Sequence, residues 1–185
     1  MTGWELPEEA VIGGKTYTLH TDYREILKIF AFLQQEEIPE FIRWQTALEL
    51  FYGEQIPDRD FREAAAYFNR FVSCGQAETG EAGAPLIDWE TDAQVIVSDV
   101  NKVAGREIRN LPHLHWWTFM GWFHGIGEGG LSMLVSVRDK LSRGKKLEKW
   151  EQEYYRQNKN LVKMRKKYSA SELAEQERLQ DLLGQ

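Results

Sequence analysis

A single cysteine, Cys74, leaves this 185-residue chain unable to form an intramolecular disulfide, and the same count excludes a cysteine-rich zinc site. A reducing compartment is the expected setting. No stretch approaches the roughly 20 consecutive apolar residues of a membrane-spanning helix, so no membrane is expected among its partners. The opening Met1-Thr2-Gly3-Trp4-Glu5-Leu6-Pro7 has neither the basic region nor the apolar core of a signal peptide, and export by a standard signal is not expected. Positive charge is in deficit. The 23 Lys and Arg against 29 Asp and Glu give a formal charge of −6, which argues against the broad phosphate-neutralising surface of a nucleic-acid-binding protein. Basic residues do concentrate at 143–167, but Glu148, Glu151 and Glu153 interleave with them. That pattern marks a solvated helix laced with i,i+4 pairs, and no nucleic-acid partner is expected.

What the chain does have is hydrophobic and aromatic mass. The 42% hydrophobic content and seven tryptophans are enough for one sizeable core in one domain. Gly13-Gly14 separates two short β-prone runs, a two-residue hairpin signal. Thr21 then caps a helix carrying Ile26, Leu27, Phe30 and Leu33 at helical spacing, predicted to run to about Glu36. Pro39 opens a second helix that ends at Gly53, and Asp58 or Asp60 begins a third with Phe61, Ala64, Phe68 and Phe71 on one side. Residues 75–85 are small, acidic and glycine-rich, and predict an exposed loop inserted between two halves of one core. After it, Val95, Ile96 and Val100 predict a helix ending near Gly105. The run Trp116-Trp117-Thr118-Phe119 predicts a buried central helix or an interface, since successive residues point about 100° apart. A long charged helix is predicted over 145–167, and a last helical piece follows with Leu173, Leu179, Leu182 and Leu183. The fold class is mainly α, a multi-helix bundle with a small N-terminal β-hairpin. A helical core at 1–143 carries the loop, and 144–185 form a basic C-terminal helical arm.

No strong catalytic motif stands out, and the chain reads as a binding protein rather than an enzyme, with no cofactor. His113, His115 and His124 could offer imidazoles to a metal, but no acid sits at a supporting helical spacing, and His115 reads better as a cap or packing partner beside Trp116. Asp88, Glu90 and Asp92 could bind a cation; capping the following helix is the simpler reading. The glycine-rich 125–130 follows a helix rather than a strand and lacks a Gly-Lys-Ser/Thr ending, which favours a helix-to-helix turn over a phosphate loop.

Several pieces together carry a resemblance. They are Thr21-Asp22-Tyr23-Arg24-Glu25-Ile26-Leu27, Leu48-Glu49-Leu50-Phe51-Tyr52, Ile87-Asp88-Trp89-Glu90-Thr91-Asp92, Leu114-His115-Trp116-Trp117-Thr118-Phe119 and Val137-Arg138-Asp139-Lys140-Leu141. The succession resembles the bacteriophage gp fifteen family of phages and prophages of Gram-positive bacteria. It departs at Thr118, where the family usually has lysine, and in the tryptophan and glycine content around Trp122 and 125–130. The resemblance implies a tail assembly chaperone in the cytoplasm of the bacterial host, with the tape measure protein and tail tube protein as partners and a homo-oligomer possible. A structural tail component, a connector- or terminator-type ring subunit, is the alternative. The residues expected to meet a partner are Trp116, Trp117, Trp122, Lys149, Trp150, Tyr154 and Leu161. The arm, whose apolar positions are thinly spaced, is expected to be loosely held.

Overall fold

The computed structural model describes residues 4–76 and 85–163. Two strands open it, β1 (Glu9–Ile12) and β2 (Lys15–Thr18), paired antiparallel with Glu9 opposite Thr18 and Ile12 opposite Lys15. Gly13 and Gly14 take φ of +56° and +81°, the left-handed pair that a tight hairpin turn requires. A Cβ at Gly13 would also lie 2.5 Å from the Asp60 carboxyl, so the turn fits closely against the approach to the third helix. Ala10, Ile12 and Tyr17 point into the core.

Eight helices follow among the described residues. They are α1 (Tyr23–Leu33), α2 (Glu40–Tyr52), α3 (Phe61–Val72), α4 (Ala93–Ala104), α5 (Trp116–His124), α6 (Gly130–Ser142), α7 (Lys149–Gln157) and α8 (Lys159–Val162). The stop signals act as glycine predicts: Gly53 ends α2 at φ +71° and Gly105 ends α4 at φ +66°, where a left-handed residue closes the last turn. α1 packs on α2, α2 on α3, and α4 on both α5 and α6, with α5 returning to α1. Phe51 lies at the centre, its ring 5.1 Å from Phe68 and 4.9 Å from Phe71, while Tyr23 stacks on Phe119 at 4.7 Å. Each such ring removed from water stabilises by about 1.5–3 kcal/mol. The mainly α class with one small hairpin is therefore correct.

Three boundaries differ from expectation. The cap of α1 is Asp22, whose Oδ1 accepts the Arg24 N–H at 2.9 Å, because Thr21 is needed elsewhere: its carbonyl accepts the Trp116 N–H at 2.7 Å. α1 stops at Leu33, short of Glu36, where Arg43 of α2 donates to the Leu33 carbonyl at 2.6 Å and closes the helix end. The long charged helix expected over 145–167 starts only at Lys149 and breaks at Asn158, whose side-chain amide donates to the Tyr154 carbonyl at 3.0 Å. The part of the predicted loop at 77–84, and everything expected after Lys163, lie outside the described residues.

A second, smaller cluster lies under the arm. Leu134, Val137 and Val162 are buried there, with Leu147, Tyr154, Tyr155 and Leu161 packed around them. Glu151 of α7 is wholly buried and receives Lys140 of α6 at 2.7 Å. That lysine holds the Glu151 carboxyl below its ordinary range, assisted by the Glu148 backbone N–H.

Candidate partner-binding groove

The start of α5 shows what the tryptophan pair does. His115 caps the helix, its Nδ1 accepting the Trp117 N–H at 3.0 Å while Nε2 lies 3.2 Å from the Pro7 carbonyl. With Nδ1 accepting, the proton sits on Nε2 and the ring is neutral. Burial pushes its pKa below the usual value, against the opposing pull of Pro7 and Glu8. The indole N–H of Trp116 donates to Val72 at 3.0 Å and that of Trp117 to Phe71 at 2.8 Å. Those two carbonyls belong to the last turn of α3, beyond the reach of its own helical N–H groups, although Phe71 also accepts the Cys74 N–H at 3.0 Å. The two indoles thus close one helix while belonging to another.

The seven residues expected to meet a partner fall in two places. Trp116 is buried and Trp117 and Trp122 are half-buried, all three on α5 in the main core. Lys149 and Trp150 are exposed on α7, whereas Tyr154 and Leu161 are half-buried against the second cluster. Other readings resolve alongside them. His113 faces the Thr21 hydroxyl at 3.2 Å. Burial pushes the Cys74 thiol up to about 11, which keeps it protonated and unreactive at neutral pH. The N-terminus of α6, at the end of the glycine-rich turn, is occupied by Asp99 of α4: its Oδ2 accepts the Leu131 N–H at 2.8 Å, in the place where a phosphate would have to bind. A Cβ at Gly129 would come within 2.7 Å of that oxygen.

Two features were missed in the sequence. The first is Arg138, whose side chain is 3% exposed and pairs bidentately with the fully buried Asp92, Nη1 to Oδ2 at 2.5 Å and Nη2 to Oδ1 at 2.8 Å. Its remaining donors reach three carbonyls, Leu86 at 2.8 Å, Leu161 at 2.6 Å and Val162 at 3.2 Å. Asp92 is therefore held by an ion pair rather than serving as a simple side-chain cap; Asp88 takes the turn N–H groups of Glu90 and Thr91 instead. Arg138 lies in the Val137–Leu141 motif, but nothing in its own neighbourhood of the sequence marks it as buried.

The second is a groove of about 350 Å³ between α1 and the turn before α4. Leu27, Phe30 and Ala31 form one wall and Trp89 the other, with Arg24 and Lys28 along one rim and Asp88 and Glu90 along the opposite one. Trp116 stands behind both walls, its ring 5.6 Å from Phe30 and 6.1 Å from Trp89. Phe123 supports Trp89 from α5 at 5.0 Å. The aromatic content of α5 thus backs both walls of the groove. The available signal was Trp89 set between two acids, opposite an α1 stripe with more apolar positions than its core face needs.

Fold and groove together define a mainly helical protein whose apolar concavity is lined by one helix face and one tryptophan and rimmed by charges of both signs. The family model described as Bacteriophage Gp15 protein matches residues 5–164, from before β1 to just past α8. The chain belongs to that phage protein family. No curated protein and no solved structure gives a match.

Proposed function

We propose that this phage protein is a tail assembly chaperone which holds helical segments of the tape measure protein, and engages tail tube subunits, during tail assembly in the host cytoplasm. The role rests on the family, and the observation that carries the mode of binding is the groove. Leu27, Phe30 and Ala31 sit at i, i+3 and i+4 on α1, the spacing against which a second amphipathic helix packs. Opposite charges along the two rims favour one orientation of the incoming helix and speed encounter more than they tighten the complex. This is a binding function, not catalysis.

The test is co-expression with a tape measure protein from the same phage genome. Ala31 is exposed, so Ala31→Arg fills the groove without disturbing the core. The variant should melt like the parent and lose co-purification of the tape measure protein. Undiminished co-purification by that variant refutes the groove as the binding site. Recovery of the protein in stoichiometric amounts from purified mature particles refutes the chaperone and favours a structural ring subunit.

A further inference from the structure

We infer that the outer edge of β2 is a self-association site, at which a second copy of this chain adds its own β2 antiparallel about a two-fold axis and turns two hairpins into one four-stranded sheet. The pairing does not depend on the tail assembly role proposed above.

The hydrogen-bond ladder of the hairpin decides which groups are left over. Leu19 donates to the Glu8 carbonyl at 2.9 Å, and Ile12 and Lys15 flank a two-residue turn, so the bonded pairs are Glu8 with Leu19, Ala10 with Tyr17 and Ile12 with Lys15. The N–H and C=O groups of Thr16 and Thr18 therefore point away from β1. None of the four has a hydrogen-bond partner among the described residues, and both threonines are exposed. The outer edge of β1 is different, because α3 lies along it: the Glu9 carbonyl accepts the Tyr67 hydroxyl at 3.1 Å and the Gly13 N–H donates to Glu63 at 3.1 Å. An open edge recognises extended main chain, and two outward residues at i and i+2 are what the same edge of a second copy offers in return.

Symmetry then sets the register. With the two-fold axis at Tyr17, Thr16 of each copy lies opposite Thr18 of the other, and the two pairs exchange four main-chain bonds. Centring on Thr18 instead sets Thr16 opposite His20, whose N–H is already given to the Phe51 carbonyl at 2.8 Å, and centring on Thr16 sets Thr18 opposite Gly14 in the turn. Both alternatives satisfy fewer groups.

The favoured register is also matched in charge. Lys15 falls opposite Leu19 of the second copy, and next to that leucine on the same sheet face is Glu8 of the same copy, with backbones about 9.6 Å apart, a gap that a lysine and a glutamate side chain can span together. Each copy thus brings one base towards the other's acid. Lys15, the one charged residue of β2, bonds Glu54 at 2.5 Å and is not left to repel its counterpart. On the outer face Val11, 61% exposed, stands beside Thr16 and continues the row to Thr18 of the second copy, β-branched neighbours across the strands. So short an edge buries little area, and the pairing is weak, with a dissociation constant on the order of 100 µM.

Sedimentation velocity on the full chain, from about 10 µM to about 1 mM, tests the pairing: the weight-average mass should climb from that of a monomer towards that of a dimer. Thr16→Lys with Thr18→Lys sets like charges opposite each other at exposed positions, so it should melt like the parent and weaken association by about tenfold or more. The register is read by oxidising an equimolar mixture of the single variants Thr16→Cys and Thr18→Cys, with peptide mapping so that Cys74 is counted separately. The crosslink between positions 16 and 18 should exceed either same-site crosslink several-fold, since opposite residues lie about 5.5 Å apart, within disulfide range, and residues two positions out of register about 8 Å. A chain that stays monomeric to about 1 mM overturns the proposal. So does association that the lysine pair leaves unchanged, or a mixed crosslink no more abundant than random pairing gives.

Discussion

Replacing Arg138 with alanine would remove a side chain that bonds Asp92 and three backbone carbonyls at once. The change leaves the Asp92 carboxylate fully buried with no counter-charge, and it removes donors from the carbonyls of Leu86, Leu161 and Val162. Breaking one partner of a buried ion pair costs about 3–5 kcal/mol, because the stranded charge cannot regain water. The lost bonds to the carbonyls overlap with that figure rather than add to it, since the arm can lift and let water in. A loss of about 4 kcal/mol is the expected result, a large share of the roughly 5–15 kcal/mol that holds a domain of this kind together. Urea unfolding followed by tryptophan fluorescence at neutral pH measures it, and with a slope of about 2 kcal/mol/M the midpoint should fall by roughly 2 M. The double variant Arg138→Met with Asp92→Leu is the control. It strands no charge, so it should be more stable than Arg138→Ala alone. A single variant within about 1 kcal/mol of the parent, or a double variant as damaged as the sum of its parts, would refute the reasoning.

Two further outcomes follow from α5. Trp117→Phe keeps most of the ring but removes the donor to Phe71, and should cost about 1–2 kcal/mol in the same assay, against about 3 kcal/mol for Trp117→Ala at a half-buried site; an unchanged Phe variant would mean that the indole cap on α3 contributes nothing. The lowered pKa of His115 means that the folded protein binds fewer protons at that ring than the unfolded chain once the pH drops below the ordinary value of 6.5. Stability should therefore be full above that pH and fall as the pH drops below it, and His115→Asn, which keeps a cap acceptor, should flatten that slope; an identical slope in the variant would show that the ring is not its source.

Local signals carried most of the fold. The left-handed glycines at 13, 14, 53 and 105 and the apolar spacing of α1 to α4 are decided by neighbours in the chain, so the hairpin and helix ends could be read directly. What escaped depended on distant residues. Asp92 and Arg138 are 46 positions apart, and nothing periodic in either neighbourhood says that their charges leave water together. Asp22 displaced Thr21 as a cap because Trp116 claimed the Thr21 carbonyl while the Leu114 N–H fixed the Asp22 carboxylate, again contacts across more than ninety positions. The groove was half legible: Leu27 and Phe30 were assigned to the core stripe of their helix, and only the position of Trp89 turns them into a wall.

The seam that joins the two ends of the main core also sets when the chain can fold. Pro7 meets His115 across 108 positions, and Asp22 meets Leu114 across 92. A ribosome releasing this protein therefore presents the hairpin, α1, α2 and α3 as emerged but unfinished chain, with Tyr23, Phe30 and the end of α3 awaiting residues not yet made. Closing so long a loop slows folding more than it weakens the final structure. The consequence is a nascent chain that carries exposed aromatic surface until about two-thirds of it has been synthesised, which makes the earliest moments of its life the ones most exposed to aggregation.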